Sequence, residues 1–336
     1  MDPLILFVIF LSFLIAFLVL PFWIRKSKQS GLLWRDMNKW EHPKNVASSG
    51  GIVVVLAFIL GVLFYIAIKT FLFDNGIDIS LQIFSLLTVI LILSLIGLVD
   101  DLLGWVHGGL SARSRVLLAI FASIPLIVIN AGVSSMSLPF IGSINWGLWY
   151  PLLLLPLGVA GCATVYNFLA GYNGLESSQG IILLSALAYV SYISGNSWLS
   201  VVSLCMVASL FAFWIFNKHP AKVFPGDIMT YSIGGLIAGI AILGNIEKIA
   251  MFFFIPYVIE GVLKVRGKLK KFSFGIPQKD GSLNMPYKKI YGLEHLAIHL
   301  LKRIKPSGKA YEREVVWLIN SFQILVIILG LLLFVW

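Results

Sequence analysis

The 336-residue chain is 59% hydrophobic, only 12% charged, and carries a formal net charge of +10. A soluble domain is about a quarter charged, so this composition excludes an ordinary globular protein and points to a polytopic membrane protein. The loops contain no recognised nucleic-acid-binding module, so the basic charge is not read as a nucleic-acid partner.

Apolar runs long enough to cross a hydrocarbon core of about 30 Å predict ten helices. They fall at about 3–24, 46–68, 79–99, 113–130, 148–168, 178–194, 198–216, 228–244, 248–266 and 315–336. The expected architecture is one all-α integral membrane domain over 1–336, with a longer cytoplasmic loop at about 267–314. The first run opens Met1-Asp2-Pro3, with no basic leader or small-residue cleavage pattern before Arg25, and is read as a retained helix. Pro256 is a natural kink in the ninth helix, where it would open a membrane-facing groove. Cys162 and Cys205 fall inside predicted helices and offer neither a disulfide framework nor metal-type spacing. No internal repeat is visible, so an inverted-repeat transporter is not supported.

Threading these spans places 23 of the 25 Lys and Arg residues on one side and leaves Lys69 and Lys248 for the other. Positive charge marks the cytoplasmic side, so both termini are expected outside. Most of this charge signals topology, but a basic surface also attracts anionic lipids and substrates.

Four polar motifs reach the same side. Asp100 and Asp101 close the third span, and adjacent carboxylates there need a compensating cation or metal. Alone, the pair could be a solvated helix end. Gly108 to Arg115 brings Arg113 and Arg115 to the fourth span, and guanidinium forks suit phosphate oxygens, although one can serve as an interfacial anchor. Asn167 to Glu176 packs two amides, a carboxylate, Gly171 and Gly174 into ten residues, more than an interhelical turn requires. Asp227 follows Gly226 at the eighth span, where an N-cap is the simplest reading. Beside Asn167 and the aspartate pair it becomes a candidate Mg²⁺ ligand, because Mg²⁺ takes one or two carboxylates plus substrate phosphates. The histidines do not form a zinc set, and His295 and His299, one turn apart, read as an ordinary helix face. The fourth motif is the basic stretch from Lys264 to Arg313.

At these residues the chain resembles the polyprenyl-phosphate N-acetylhexosamine-1-phosphate transferase superfamily, ten-helix membrane enzymes that move a sugar phosphate from a UDP-sugar to a lipid phosphate. Asp36-Met37-Asn38-Lys39, Gly50-Gly51, Val99-Asp100-Asp101 and Pro220 to Asp227 look like its cytoplasmic motifs, in order. Asn167 to Glu176 and Lys279 to Tyr287 are similar to the eukaryotic and archaeal branch, which uses UDP-GlcNAc and dolichyl phosphate. The bacterial branch has Asp in place of Asn173 and a histidine-rich last loop.

The resemblance implies a catalytic set of Asp100, Asp101 and Arg115, with Asn167 and Asp227 holding Mg²⁺ (Mn²⁺ the alternative). Asn38, Lys39, Asn173, Glu176 and Lys222 are implied substrate contacts, Asn173 reading the uracil. Lys270 and Lys271 are expected to replace the Arg-His-Arg segment of the eukaryotic enzymes, and Arg115 stands where the family usually has lysine. The expected partners are UDP-GlcNAc, dolichyl or polyprenyl phosphate and the bilayer. Oligomeric state stays open, a homodimer included. A compact chain suggests an archaeal plasma membrane, or endoplasmic reticulum in a eukaryote. The alternatives are another UDP-HexNAc, a bacterial-type polyprenol, or a transporter or lipid scramblase, which leaves the one-sided polar residues unexplained.

Overall fold

A computed structural model of the chain describes residues 3–72, 77–138 and 142–335, so Met1 and Asp2, on which the retained-helix reading drew, lie outside the described residues. It opens with α1 (Pro3–Ser30), a hairpin of β1 (Leu33–Arg35) and β2 (Lys44–Ala47), α2 (Gly51–Leu72) and α3 (Ile77–His107). Next come α4 (Ala112–Ala122), α5 (Ile124–Val128), a second hairpin of β3 (Ser135–Leu138) and β4 (Gly142–Asn145), a wide π turn at Tyr150–Leu154, and α6 (Leu155–Tyr166). There follow α7 (Leu175–Ile193), α8 (Ser197–Asn217), α9 (Gly226–Gly244), α10 (Glu247–Phe253) and α11 (Ile255–Arg266). The C-terminal part holds β5 (Ile276–Pro277), β6 (Ser282–Asn284), α12 (Leu293–Ile304), β7 (Ala310–Tyr311) and α13 (Glu312–Phe334).

Among the described residues six helices are long and apolar enough to cross a membrane: α1, α2, α3, α8, α9 and α13. The other four expected spans are helical but interrupted or diluted. The fourth divides at Ser123 into α4 and α5, with Pro125 in the new first turn. The fifth starts in the π turn around Pro151 and continues into α6 past Pro156. The ninth divides at Phe254, with Pro256 in the first turn of α11, where the kink was expected. Proline has no N–H to give and clashes with the preceding turn, so helices restart at it. The sixth, α7, is a continuous 19-residue helix whose first turns carry Glu176, Ser177, Ser178 and Gln179.

The centre of the bundle is α9, buried at every position from Ile228 to Gly244, as befits a helix apolar all round. It lies close against α3 and α6. A Cβ on Gly97 would fall 2.5 Å from the Asp227–Ile228 backbone, and one on Gly234 would fall 2.5 Å from the carbonyl of Cys162. The outer helices instead expose large apolar side chains, including Phe10, Leu18 and Phe22 of α1 and Leu332 and Leu333 of α13, the surface a bilayer requires.

Three β features lie outside the all-helical expectation, the β3–β4 hairpin among them. The β1–β2 hairpin is antiparallel with Arg35 opposite Lys44, and β5, β6 and β7 form a three-stranded antiparallel sheet. The long loop also contains α12, whose Leu293, Ala297 and Ile298 are buried; His295 faces inward and His299 outward, an ordinary amphipathic helix.

Candidate active site

Asp100 and Asp101 fall within α3, which runs two turns past its expected end, and adjacent helical positions turn them apart. Asp101 faces α9. Its Oδ1 accepts the Asp227 N–H at 2.8 Å. The first N–H groups of a helix have no partner within it, and Pro225 supplies no side-chain cap to α9. A carboxylate from α3 therefore caps α9, at the end where the helix dipole favours negative charge. The close fit depends on Gly226, whose φ is +71° and whose added Cβ would fall 2.1 Å from Asp101 Oδ2. That Oδ2 is buried without a protein partner.

Asp100 is engaged through both oxygens. Oδ1 accepts the Leu110 N–H at 2.5 Å and Oδ2 accepts from Arg115 Nη1 at 3.0 Å. Arg115 Nη1 also lies 3.5 Å from Asp227 Oδ2. Arg115 thus compensates Asp100 and is shared with Asp227, while among the described residues it makes no ion pair with Asp101.

Asn167 is the C-cap of α6. Its Oδ1 accepts from the Thr230 hydroxyl at 3.0 Å, and that hydroxyl lies 3.2 Å from the Asp227 carbonyl, which ties α6 to the first turn of α9. The following turn is closed by Glu176, whose Oε1 accepts the Gly171 N–H at 2.7 Å while Oε2 is left buried and unpartnered. Asn38 Nδ2 donates to the Gly171 carbonyl at 2.8 Å.

Below the turn lies a second layer of charge. Asn173 donates its N–H to Glu312 Oε1 at 2.8 Å and its Nδ2 to Asp36 Oδ2 at 3.1 Å. Glu312 also pairs with Lys39 and lies 3.2 Å from His219 Nδ1. Burial, then the Glu312 charge, push the Asp36 carboxyl above its ordinary range, against the pull of Lys39 and the Asn173 amide.

Asp101, Asn167, Glu176 and Asp227 line one cavity of about 610 Å³. Its walls include the rings of Phe224, Phe272 and Phe274, with Arg35 and Lys44 from the hairpin. Among the described residues no set of three or more His, Cys, Asp or Glu side chains forms a metal cage. Mg²⁺ does not need one, since it keeps waters and takes one or two carboxylates with substrate phosphates. Asp227, the Asn167 amide and the orphaned Asp101 Oδ2 supply hard oxygens in one cavity, so the residues present fit that ion.

The glycosyl transferase family 4 profile matches residues 83–245, the stretch that carries every acidic residue lining this cavity. A protein of Saccharolobus solfataricus, provisionally named UDP-N-acetylglucosamine–dolichyl-phosphate N-acetylglucosaminephosphotransferase, is 33% identical over 98% of this chain and 96% of its own length. The chain belongs to glycosyl transferase family 4. A Sulfolobus acidocaldarius protein with the same provisional name is 34% identical over 97% of this chain and 95% of its own. The Dictyostelium discoideum protein of that name is 28% identical over 81% of this chain and 72% of its own.

In this family 4 chain the residues singled out from sequence separate into three groups. Asp101, Asn167, Glu176 and Asp227 meet at the cavity, with Asp100 and Arg115 directly behind them. Asn38, Lys39 and Asn173 lie in the supporting layer; Asn173 Nδ2 donates to Asp36 while its Oδ1 is buried without a protein partner. Lys222, Lys270 and Lys271 are exposed and line no part of it; Lys271 sits 4.7 Å over the Tyr287 ring. Sequence reasoning missed Glu312, although an acid opening an apolar helix after a basic loop was a legible signal. It counted Arg35 and Lys44 only as topology charges, because their convergence depends on the hairpin register.

Proposed function

We propose that this chain transfers N-acetylglucosamine-1-phosphate from UDP-N-acetylglucosamine to dolichyl or a related polyprenyl phosphate, releasing UMP and forming polyprenyl-diphospho-N-acetylglucosamine. The observation that carries the reading is a single cavity walled by Asp101, Asn167, Glu176 and Asp227, in a chain matched almost end to end by the archaeal proteins of that name. Six long helices supply six crossings; α4–α5, the π turn with α6, α7, and α10–α11 supply four more. With ten crossings the cavity and the basic loops face the cytoplasm, and the archaeal relatives favour an archaeal plasma membrane.

An oxygen of the lipid phosphate attacks the sugar-bearing phosphorus, the bond from that phosphorus to the bridging oxygen breaks, and UMP leaves. A phosphate monoester with a second pKa of about 6 is largely dianionic at neutral pH, so no strong base is required. Both Asp100 oxygens already accept hydrogen bonds, which blunts it as a nucleophile and favours direct attack over a covalent phospho-enzyme. Arg115 holds Asp227 in place, and its further N–H donors offer stabilisation to phosphate oxygens. Mg²⁺ held by Asp227 and Asn167, beside Asp101 Oδ2, would supply charge neutralisation for the diphosphate. The faces of Phe224 and Phe274 offer the uracil a stacking surface.

The test is label transfer by the purified protein from radiolabelled UDP-N-acetylglucosamine to dolichyl phosphate with Mg²⁺. Label in the organic phase, abolished by EDTA, is expected. Folded protein that forms no lipid product from any UDP-N-acetylhexosamine would overturn the assignment.

A further inference from the structure

The charge around the cavity is unbalanced. Its lining carries three carboxylates, Asp101, Glu176 and Asp227, and among the described lining residues the basic side chains are Arg35 and Lys44. Arg115 Nη1 is engaged by Asp100 and Asp227, and Lys39 by Glu312, and neither residue lines the cavity. The lysines expected to meet the substrate, Lys222, Lys270 and Lys271, stand outside the cavity.

Arg35 and Lys44, both exposed, are also cross-strand partners on β1 and β2, just past an irregularity in the register between Trp34 and Arg35. Residues so paired project to the same face of a hairpin, and like charges directly opposite destabilise it. Among the described residues neither side chain has an ion-pair partner to relieve that repulsion. An unfavourable pair that faces a cavity is explained by an anion that the cavity receives.

The hairpin is also fixed relative to the site. Along β2 and the loop after it, Ala47 N–H donates to the Lys222 carbonyl at 3.3 Å and Phe224 N–H to the Ala47 carbonyl at 2.8 Å. Gly50 N–H donates to the Phe224 carbonyl and Gly51 N–H to the Pro225 carbonyl, both at 2.9 Å. This ladder runs straight into Gly226 and Asp227, so the basic pair and the Asp227 carboxylate are held at a set separation. Trp23 Nε1, donating to the Ser48 carbonyl at 2.9 Å, pins the residue just after β2 to α1.

We propose that Arg35 and Lys44 form a phosphate clamp that grips the diphosphate of the nucleotide sugar from the hairpin wall of the cavity that Asp227 also lines. The assignment rests on the transferase reading for its substrate. The clamp supplies positive charge from the first cytoplasmic hairpin, in place of the last-loop lysines.

The test compares wild type with Arg35→Gln, Lys44→Gln and Arg35→Lys in detergent. Calorimetry with UDP and with uridine separates phosphate from base recognition. Each glutamine variant is expected to weaken UDP binding roughly tenfold, the scale of one lost hydrogen bond to a charged group, while uridine binding is unchanged. In turnover, KM for the nucleotide sugar rises by a similar factor, kcat changes little, and Arg35→Lys recovers most of the loss. Thermal midpoints of the glutamine variants are expected to stay level or rise, since a like-charge pair is relieved. Unchanged UDP affinity, equal weakening of UDP and uridine, or a KM increase confined to the lipid phosphate would each overturn the clamp. Wild type that binds UDP through this pair yet makes no lipid product would refute the transfer reading while leaving the clamp standing.

Discussion

Gly226→Ala perturbs the site with the addition of one methyl group. The residue sits at φ +71°, and a side chain in that left-handed region costs about 1–2 kcal/mol. The new Cβ would also meet Asp101 Oδ2 at 2.1 Å, far inside contact distance, so Asp101 must rotate. Rotation breaks its 2.8 Å bond from the Asp227 N–H, and a hydrogen bond to a charged group is worth about 1.5–3 kcal/mol. If the lost placement of Asp101 is felt at the transferring phosphoryl group, the rate falls roughly 10–100-fold, at about 1.4 kcal/mol per decade. The assay is steady-state phosphotransfer in detergent beside a thermal melt, with Gly161→Ala as control. Gly161 lies within α6 with nothing within 4 Å of an added Cβ, so its alanine should be neutral or slightly stabilising. Gly226→Ala with activity within about twofold of wild type would refute the coupling of Asp101 to the site, since the geometry demands more.

Three further outcomes follow from the same geometry. Asp100→Asn should retain measurable transfer while loosening the Leu110 turn and Arg115, whereas Asp101→Asn should lose more, because only Asp101 lines the cavity; equal losses would contradict the division. Glu312→Ala removes the acceptor of Asn173 and Lys39 and should destabilise the protein by about 3 kcal/mol in a denaturation series, the low end for breaking a buried ion pair. Burial, then Lys264, hold the His295 imidazole down at about 4 from its usual 6.5, so the unfolded segment binds more protons between those values and His295 makes stability fall with pH there. Glu294, raised by burial and Glu260, acts in the opposite sense. The His295 contribution is therefore read as a difference: hydrogen-exchange protection of residues 272–295 should drop between pH 7 and pH 5 more in wild type than in His295→Gln.

The sequence singled out residues that the fold gathers at one cavity, and it placed the helices less exactly. Each expected span became helical, because apolar run length is a strong signal. Its limits appear at Pro125, Pro151 and Pro256, where the helices break or widen. Asp101, Asn167, Glu176 and Asp227 were legible as chemistry because carboxylates and amides near a membrane are costly. Their individual roles were not. The turning apart of Asp100 and Asp101, one behind Arg115 and the other capping α9, follows from helix geometry only once α3 is known to continue past Val99. Asn173 donates its Nδ2 to Asp36 and its N–H to Glu312, 139 residues away in sequence. Glu260 of α11 lies 3.2 Å from Lys264 and accepts the Leu293 N–H at 2.6 Å, binding α11 to α12. Such pairings between distant segments leave no local pattern to read.

The central claim is transfer of a sugar together with its phosphate through the Asp227 cavity. It is tested most directly with UDP-N-acetylglucosamine carrying ³H in the sugar and ³²P in the sugar-bearing phosphate. The account predicts both labels in the lipid product in equal proportion, UMP as the released nucleotide, and loss of both in Asp227→Ala. Tritium in the lipid without ³²P, with UDP released, or full transfer by Asp227→Ala, would contradict it.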